Sequence, residues 1–258
     1  MKFRYWLVLL VPFIIASSYA GERIFYVNDS IEKCFYNYAI DEDLESQLKF
    51  VIRYLESKEA LDAEEAQALA NCYMRVGRLN DSIARFDQAV SQFGYNYKIY
   101  YQRGLAHFLL GNIEKAKDDL YRQINTDGAF HNEEYLLLSF IYEEENDMLS
   151  SIEVLKLGIS KYRKLFPTEN IDPYGKVRFG SDEEELYLKL IYNLIKSGIV
   201  KNIENIIDEA LTRNNSSDRL FEISRAYFSE NLEDGDLIFE EKYCRFLGFR
   251  EIFEECRR

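Results

Sequence analysis

Two histidines, four cysteines and two acidic runs are the groups with which this chain of 258 residues could do chemistry. His131 opens a helix-forming stretch without an evident partner, and His107 lies inside one, so the pair needed for acid–base or metal work is missing. No CxxC spacing accompanies them, which argues against zinc. The runs "YEEEND" (142–147) and "DEEE" (182–185) would suit paired carboxylates or a cation. They fall at a helix end and a helix start, where solvated faces are the expected reading. "EDGD" (233–236) is too short for a calcium loop and lacks its alternating oxygen ligands. Phosphate-cradling glycine loops and nucleophile elbows are also missing. The expectation is a binding protein rather than an enzyme, with no catalytic residue, cofactor or metal.

The cysteines allow three pairings, and neighbourhood in sequence favours Cys34 with Cys72 and Cys244 with Cys256. Buried free thiols are the rival reading for the first pair. On one straight helix the second pair would stand about 18 Å apart, too far to bridge, so it needs a bend such as Gly248 could give.

The amino terminus sets the expected compartment. Lys2 and Arg4 precede an apolar run from Trp6 to Ala16, and small residues at Ser18 and Ala20 precede Gly21. This has the three parts of an export signal cleaved after residue 20. The run would cover only about 16 Å as a helix, roughly half a bilayer core, so a permanent span is the weaker reading. Removing residues 1–20 takes two of 32 basic residues and none of 45 acidic ones, leaving 30 − 45 = −15. Such a charge repels phosphate backbones, and nucleic acid is not an expected partner. A periplasmic location, touching membrane only through the signal, is expected.

The elements that must position any site come from a repeat. Aligning Gly77, Gly111, Asn146 and Gly198 brings four segments into register. First helices then share the columns Ala66, Tyr100, Tyr135, Tyr187 and Leu69, Arg103, Leu138, Leu190. A small residue follows at Ala70, Gly104 and Ser139, with Ile191 the exception, and Tyr73, His107, Tyr142 and Leu194 close the helix. His107 is thus expected to be a buried aromatic substitute. Second helices share Ser82, Ala116, Ser151, Ile203, then Phe86, Leu120, Leu155, Ile207, then Ala89, Gln123, Gly158, Ala210. The spacing resembles the tetratricopeptide repeat (TPR), a 34-residue antiparallel helix pair that stacks into a right-handed superhelix. The resemblance implies an all-α solenoid with repeats at 63–96, 97–131, 132–163 and 184–217. Independently of it, apolar residues three, four and seven apart give each helix one apolar stripe. A single pair cannot bury enough to offset its ordering entropy, so neighbours must stack.

The flanks complete the expected organisation. Residues 21–62 hold an amino-terminal segment and a capping helix with Leu44, Leu48, Val51, Ile52 and Leu55 on one face. A Cys34–Cys72 bridge would tie that cap to the stack. Residues 164–183 form an inserted loop carrying Phe166, Tyr174 and Phe179, and 218–258 a carboxy-terminal helical cap.

In the resembled family, first helices line the concave face. The resemblance therefore places Asn71, Met74, Arg75, Tyr101, Leu105, Phe108, Leu136, Phe140 and Tyr192 there, as candidate partner-binding residues. Several are more apolar than a solvated groove requires. Of the Lys, Asn and Arg with which some relatives hold a terminal carboxylate, Asn71 alone is present. The expected partner is a protein or peptide, with an apolar helix carrying basic flanks the preferred form. An inhibitor or immunity-type protein that neutralises a cationic toxin is the alternative. The sequence leaves open the oligomeric state, and whether the groove is open or filled by the chain's own carboxy terminus.

Overall fold

A computed structural model describes residues 31, 34–35, 42–94, 98–126, 131–166, 181–199, 202–213 and 218–228. The export signal, most of the inserted loop and the Cys244–Cys256 pair lie outside these residues. All described elements of regular structure are helices: α1 Glu42–Glu56, α2 Ala63–Arg75, α3 Leu79–Phe93, α4 Ile99–Leu109, α5 Ile113–Asn125, α6 Glu133–Glu144, α7 Met148–Leu165, α8 Ser181–Lys196, α9 Ile203–Arg213 and α10 Asp218–Phe228. The all-α, TPR-like stacking of antiparallel pairs is the fold that the repeat spacing predicts. Two compact units divide it, residues 1–99 and 100–258.

The turn within each pair explains why the aligned column is Gly or Asn. Gly77, Gly111, Asn146 and Gly198 all have positive φ, between 60° and 80°. Glycine enters that region freely and asparagine more readily than most. In each case that residue's own amide and the next one close the helix: Gly77 N–H donates to the Met74 carbonyl and Arg78 N–H to that of Tyr73, at 3.0 and 2.8 Å. Asn146 and Asp147 repeat the pattern onto Glu143 and Tyr142 at 2.9 and 2.8 Å.

In the first unit, α1 packs on α2 and α2 on α3. The face read as a cap does bury Leu44, Leu48, Val51, Ile52 and Leu55, together with Leu69 and Tyr73 of α2. Cys34 and Cys72 are joined by a disulfide with Cα atoms 4.9 Å apart, so the bridged reading holds over that of free thiols. Asp62 starts α2 with a reciprocal cap: its carboxylate accepts from Glu65 N–H at 2.9 Å, and its own N–H donates to the Glu65 side chain.

In the second unit α5 packs on α6, α6 on α7, α7 on α8 and α8 on α9, while α10 lies against α8 and α9. Helix occupies both ends of the stretch read as an insertion, since α7 runs to Leu165 and α8 starts at Ser181. Among the described glycines the tightest surroundings are at Gly158 of α7. A Cβ there would stand 2.9 Å from Cγ of Tyr135, whose ring is fully buried, and 3.2 Å from Leu186 Cδ1. In an exposed helix, Gly→Ala gains about 1 kcal/mol. At position 158 overpacking costs about 1–3 kcal/mol and reverses the sign. Gly158→Ala should therefore lower the denaturation midpoint, and a raised midpoint would show that the Tyr135 ring yields.

Candidate partner-binding face

First helices carry the candidate residues, and the structure buries most of them. In the first unit Asn71, Met74 and Arg75 of α2 are buried, and the Asn71 Nδ2 amide has no hydrogen-bond partner. In the second unit Leu105 and Leu136 are 2% and 1% exposed, and Tyr101 and Tyr192 are also buried. Burial, with the Glu133 and Glu134 carboxylates nearby, pushes the Tyr101 phenol well above its ordinary value. Seven of the nine candidate groove residues are thus buried. Of the nine only Phe108 and Phe140 are half-buried. These two, on α4 and α6, meet edge to face, with ring centroids 5.8 Å apart and planes at 83°. Sequence columns give the helical face but not how deeply neighbours cover it.

Polar groups that column reasoning treated as bland do more than expected. The "YEEEND" run is not wholly solvated. Glu143 of α6 reaches inward, accepting from Lys189 Nζ and Asn193 Nδ2 of α8 at 2.8 Å each. Ser139 and Ser151 hydroxyls, 2.7 Å apart, join the same cluster, and Asn193 Nδ2 lies 2.8 Å from Ser151 Oγ. The side chains of Lys189 and Glu143 are 3% and 9% exposed. Burial pushes the Lys189 ammonium below its ordinary value, while the Glu143 charge and hydrogen bond act in the opposite direction. The neighbouring Glu144 and Glu145 are exposed, as expected, and Glu145 takes Lys117 at 3.0 Å.

The second acidic run is similar. Glu183 is buried and pairs with Arg213, while Arg163 donates to the Tyr187 hydroxyl and pairs with Glu209. Burial pushes the Tyr187 phenol up to about 12, against the opposing effect of Arg163. Beside these groups α7, α8 and α9 leave a cavity of about 190 Å³, which Lys156, Ile206 and Leu190 also line. Arg103, in a column otherwise leucine, is buried and grips Asp119 of α5 with two bonds of 2.7 and 2.6 Å. The signal that could have found this pair was a charge in a leucine column matched by an acid on the partner helix.

His107 is buried, as its column implies, with Nδ1 3.5 Å from the Asn112 amide. His131 does have a neighbour, the Glu133 carboxylate at 3.9 Å, which corrects the reading that it lacks one. Among the described residues no three His, Cys, Asp or Glu side chains gather as a metal site, and no helix is long and apolar enough to cross a membrane.

Comparison with known proteins agrees with this architecture. A family profile described as "Tetratricopeptide repeat" matches residues 97–129. No curated protein matches the sequence. A crystal structure of MamA is similar at 18% identity and a TM-score of 0.50, covering 69% of this chain and 97% of MamA. MamA from residue 41 to its end, from Desulfovibrio magneticus RS-1, is similar at 15% identity and 0.50, covering 75% and 96%. Identities this low show the fold alone. The chain therefore contains a tetratricopeptide repeat at 97–129, set within a stack of helix pairs with the TPR-like solenoid fold.

Proposed function

We propose that this chain is a non-catalytic scaffold that holds a protein or peptide partner on the face made by its first helices. The observation that carries the reading is the Phe108–Phe140 pair, two aromatic rings on successive first helices that keep part of their surface while Leu105 and Leu136 on the same helices are buried. Aromatic groups of this kind anchor interfaces at low entropy cost. Exposed Glu144 and Glu145 nearby in sequence favour basic flanks on the partner.

Export to a periplasm belongs to the same proposal. Its supports are the tripartite amino terminus and the Cys34–Cys72 bond, which persists best in an oxidising compartment. Crosslinked capture from the host envelope, with identification of the retained protein, tests the reading. Phe108→Ser/Phe140→Ser should cut capture of that protein at least tenfold with an unchanged melting curve. Capture at wild-type level would remove the aromatic pair from the interface, and a mature chain retaining residues 1–20 in the cytoplasm would remove the location.

The acidic net charge, −13 for the full sequence, keeps one alternative in view, neutralisation of a cationic toxin or enzyme. That reading requires an association rate that falls steeply with salt, and a salt-insensitive rate would discard it.

A further inference from the structure

Beyond partner binding, we infer that the buried Glu143–Lys189–Asn193 cluster is a polar key that fixes where α8 docks on the α6–α7 pair. Two features make such a key necessary. First, 15 residues (166–180) connect α7 to α8, whereas seven (126–132) connect α5 to α6. A short connection dictates where the next helix begins; a long one leaves its register to side chains. Second, α8 is rich in large apolar residues. Leu186, Tyr187, Leu190, Ile191 and Leu194 are all buried, and apolar packing alone tolerates sliding by a turn.

The cluster supplies the missing discrimination. In the second pair the two aligned small positions are Gly104 and Ala116, where a Cβ on Gly104 would stand 3.2 Å from the Ala116 carbonyl oxygen. The same positions in the third pair are Ser139 and Ser151, whose hydroxyls bond each other and lie 3.4 and 2.8 Å from Asn193 Nδ2. Asn193 is fully buried, and its amide meets three groups on two helices only at this register. Lys189, one turn earlier, places its ammonium 2.8 Å from both Glu143 oxygens. Sliding α8 by one turn, about 5.4 Å, would leave Glu143 and Lys189 buried without each other. An uncompensated buried charge makes such a register costly, even where the correct pair adds little stability of its own.

Native-state hydrogen exchange on the full chain tests this. In the wild type, α8 amides should exchange with those of α6 and α7 as one cooperative unit. In Glu143→Leu/Lys189→Met, α8 should exchange at least tenfold faster relative to α6, with duplicated or broadened α8 signals by NMR. Independent exchange of α8 in the wild type would overturn the proposal, as would an unchanged ratio and single signals in the double variant. Should that variant not fold, Asn193→Leu keeps the ion pair and removes the amide bonds. The same tenfold loss of relative protection is then expected, and its absence would equally overturn the key.

Discussion

Lys189→Met should destabilise the protein by about 3–5 kcal/mol, among the largest losses expected from any single substitution here. The cause is less the lost attraction than what remains, a Glu143 carboxylate 9% exposed and deprived of its ammonium. Its bonds from Asn193 and from Ser139 and Ser151 offset only part of that burial. Glu143→Leu/Lys189→Met should lie within about 1 kcal/mol of the wild type or above it, because the desolvation of both charges is removed together. Urea titrations of the three proteins measure this, and a double variant as unstable as the single one would mean that the pair itself stabilises.

The pH dependence has a definite sign. Lys189 is depressed in the folded state, so between that value and its ordinary one the unfolded chain binds more protons. Wild-type stability relative to the double variant should therefore rise as pH climbs through that window towards 10.5. A fall over the same range would contradict the assigned cause, burial outweighing the Glu143 charge.

What could be read in advance follows from which interactions repeat. The turn column is legible because a positive φ at Gly77, Gly111 and Gly198 restricts the residue type, and Asn146 satisfies the same restriction. Apolar columns are legible because burial on one helix face recurs every pair, as at Phe86, Leu120, Leu155 and Ile207, all buried. The face for a partner was legible only as a set of helix positions. Whether Leu105 or Leu136 reaches solvent depends on how closely successive first helices and their surroundings approach, which no column encodes. Charges that occur once were missed for the opposite reason. Arg103 breaks its column and Lys189 stands outside the repeating columns, and their counter-charges Asp119 and Glu143 lie 16 and 46 residues away, one on a partner helix and one across an insertion. A pairing made once, at long range, leaves no periodic trace.

Loss of the Cys34–Cys72 bond should cost about 4 kcal/mol, the loop-closure entropy of a crosslink 38 residues apart in sequence. The consequence is local to the first unit. The bridge ties the segment at Cys34 to α2 across α1, and Ile31 and Phe35 beside it pack on the cluster that buries Leu48, Val51 and Leu55. Without it α1 keeps its apolar contacts but loses the constraint on the unfolded chain, so the first unit should open before the second. In a Cys244→Ala/Cys256→Ala background, only this bond responds to reductant. The denaturation midpoint should fall on reduction, with faster hydrogen exchange in α1 and unchanged exchange in α6. Equal stability with and without reductant would mean that the cap is held by packing alone. Alkylation of the protein as it exists in its host supplies the other half of the test, because a fully reduced pair there would remove both the staple and the disulfide support for export.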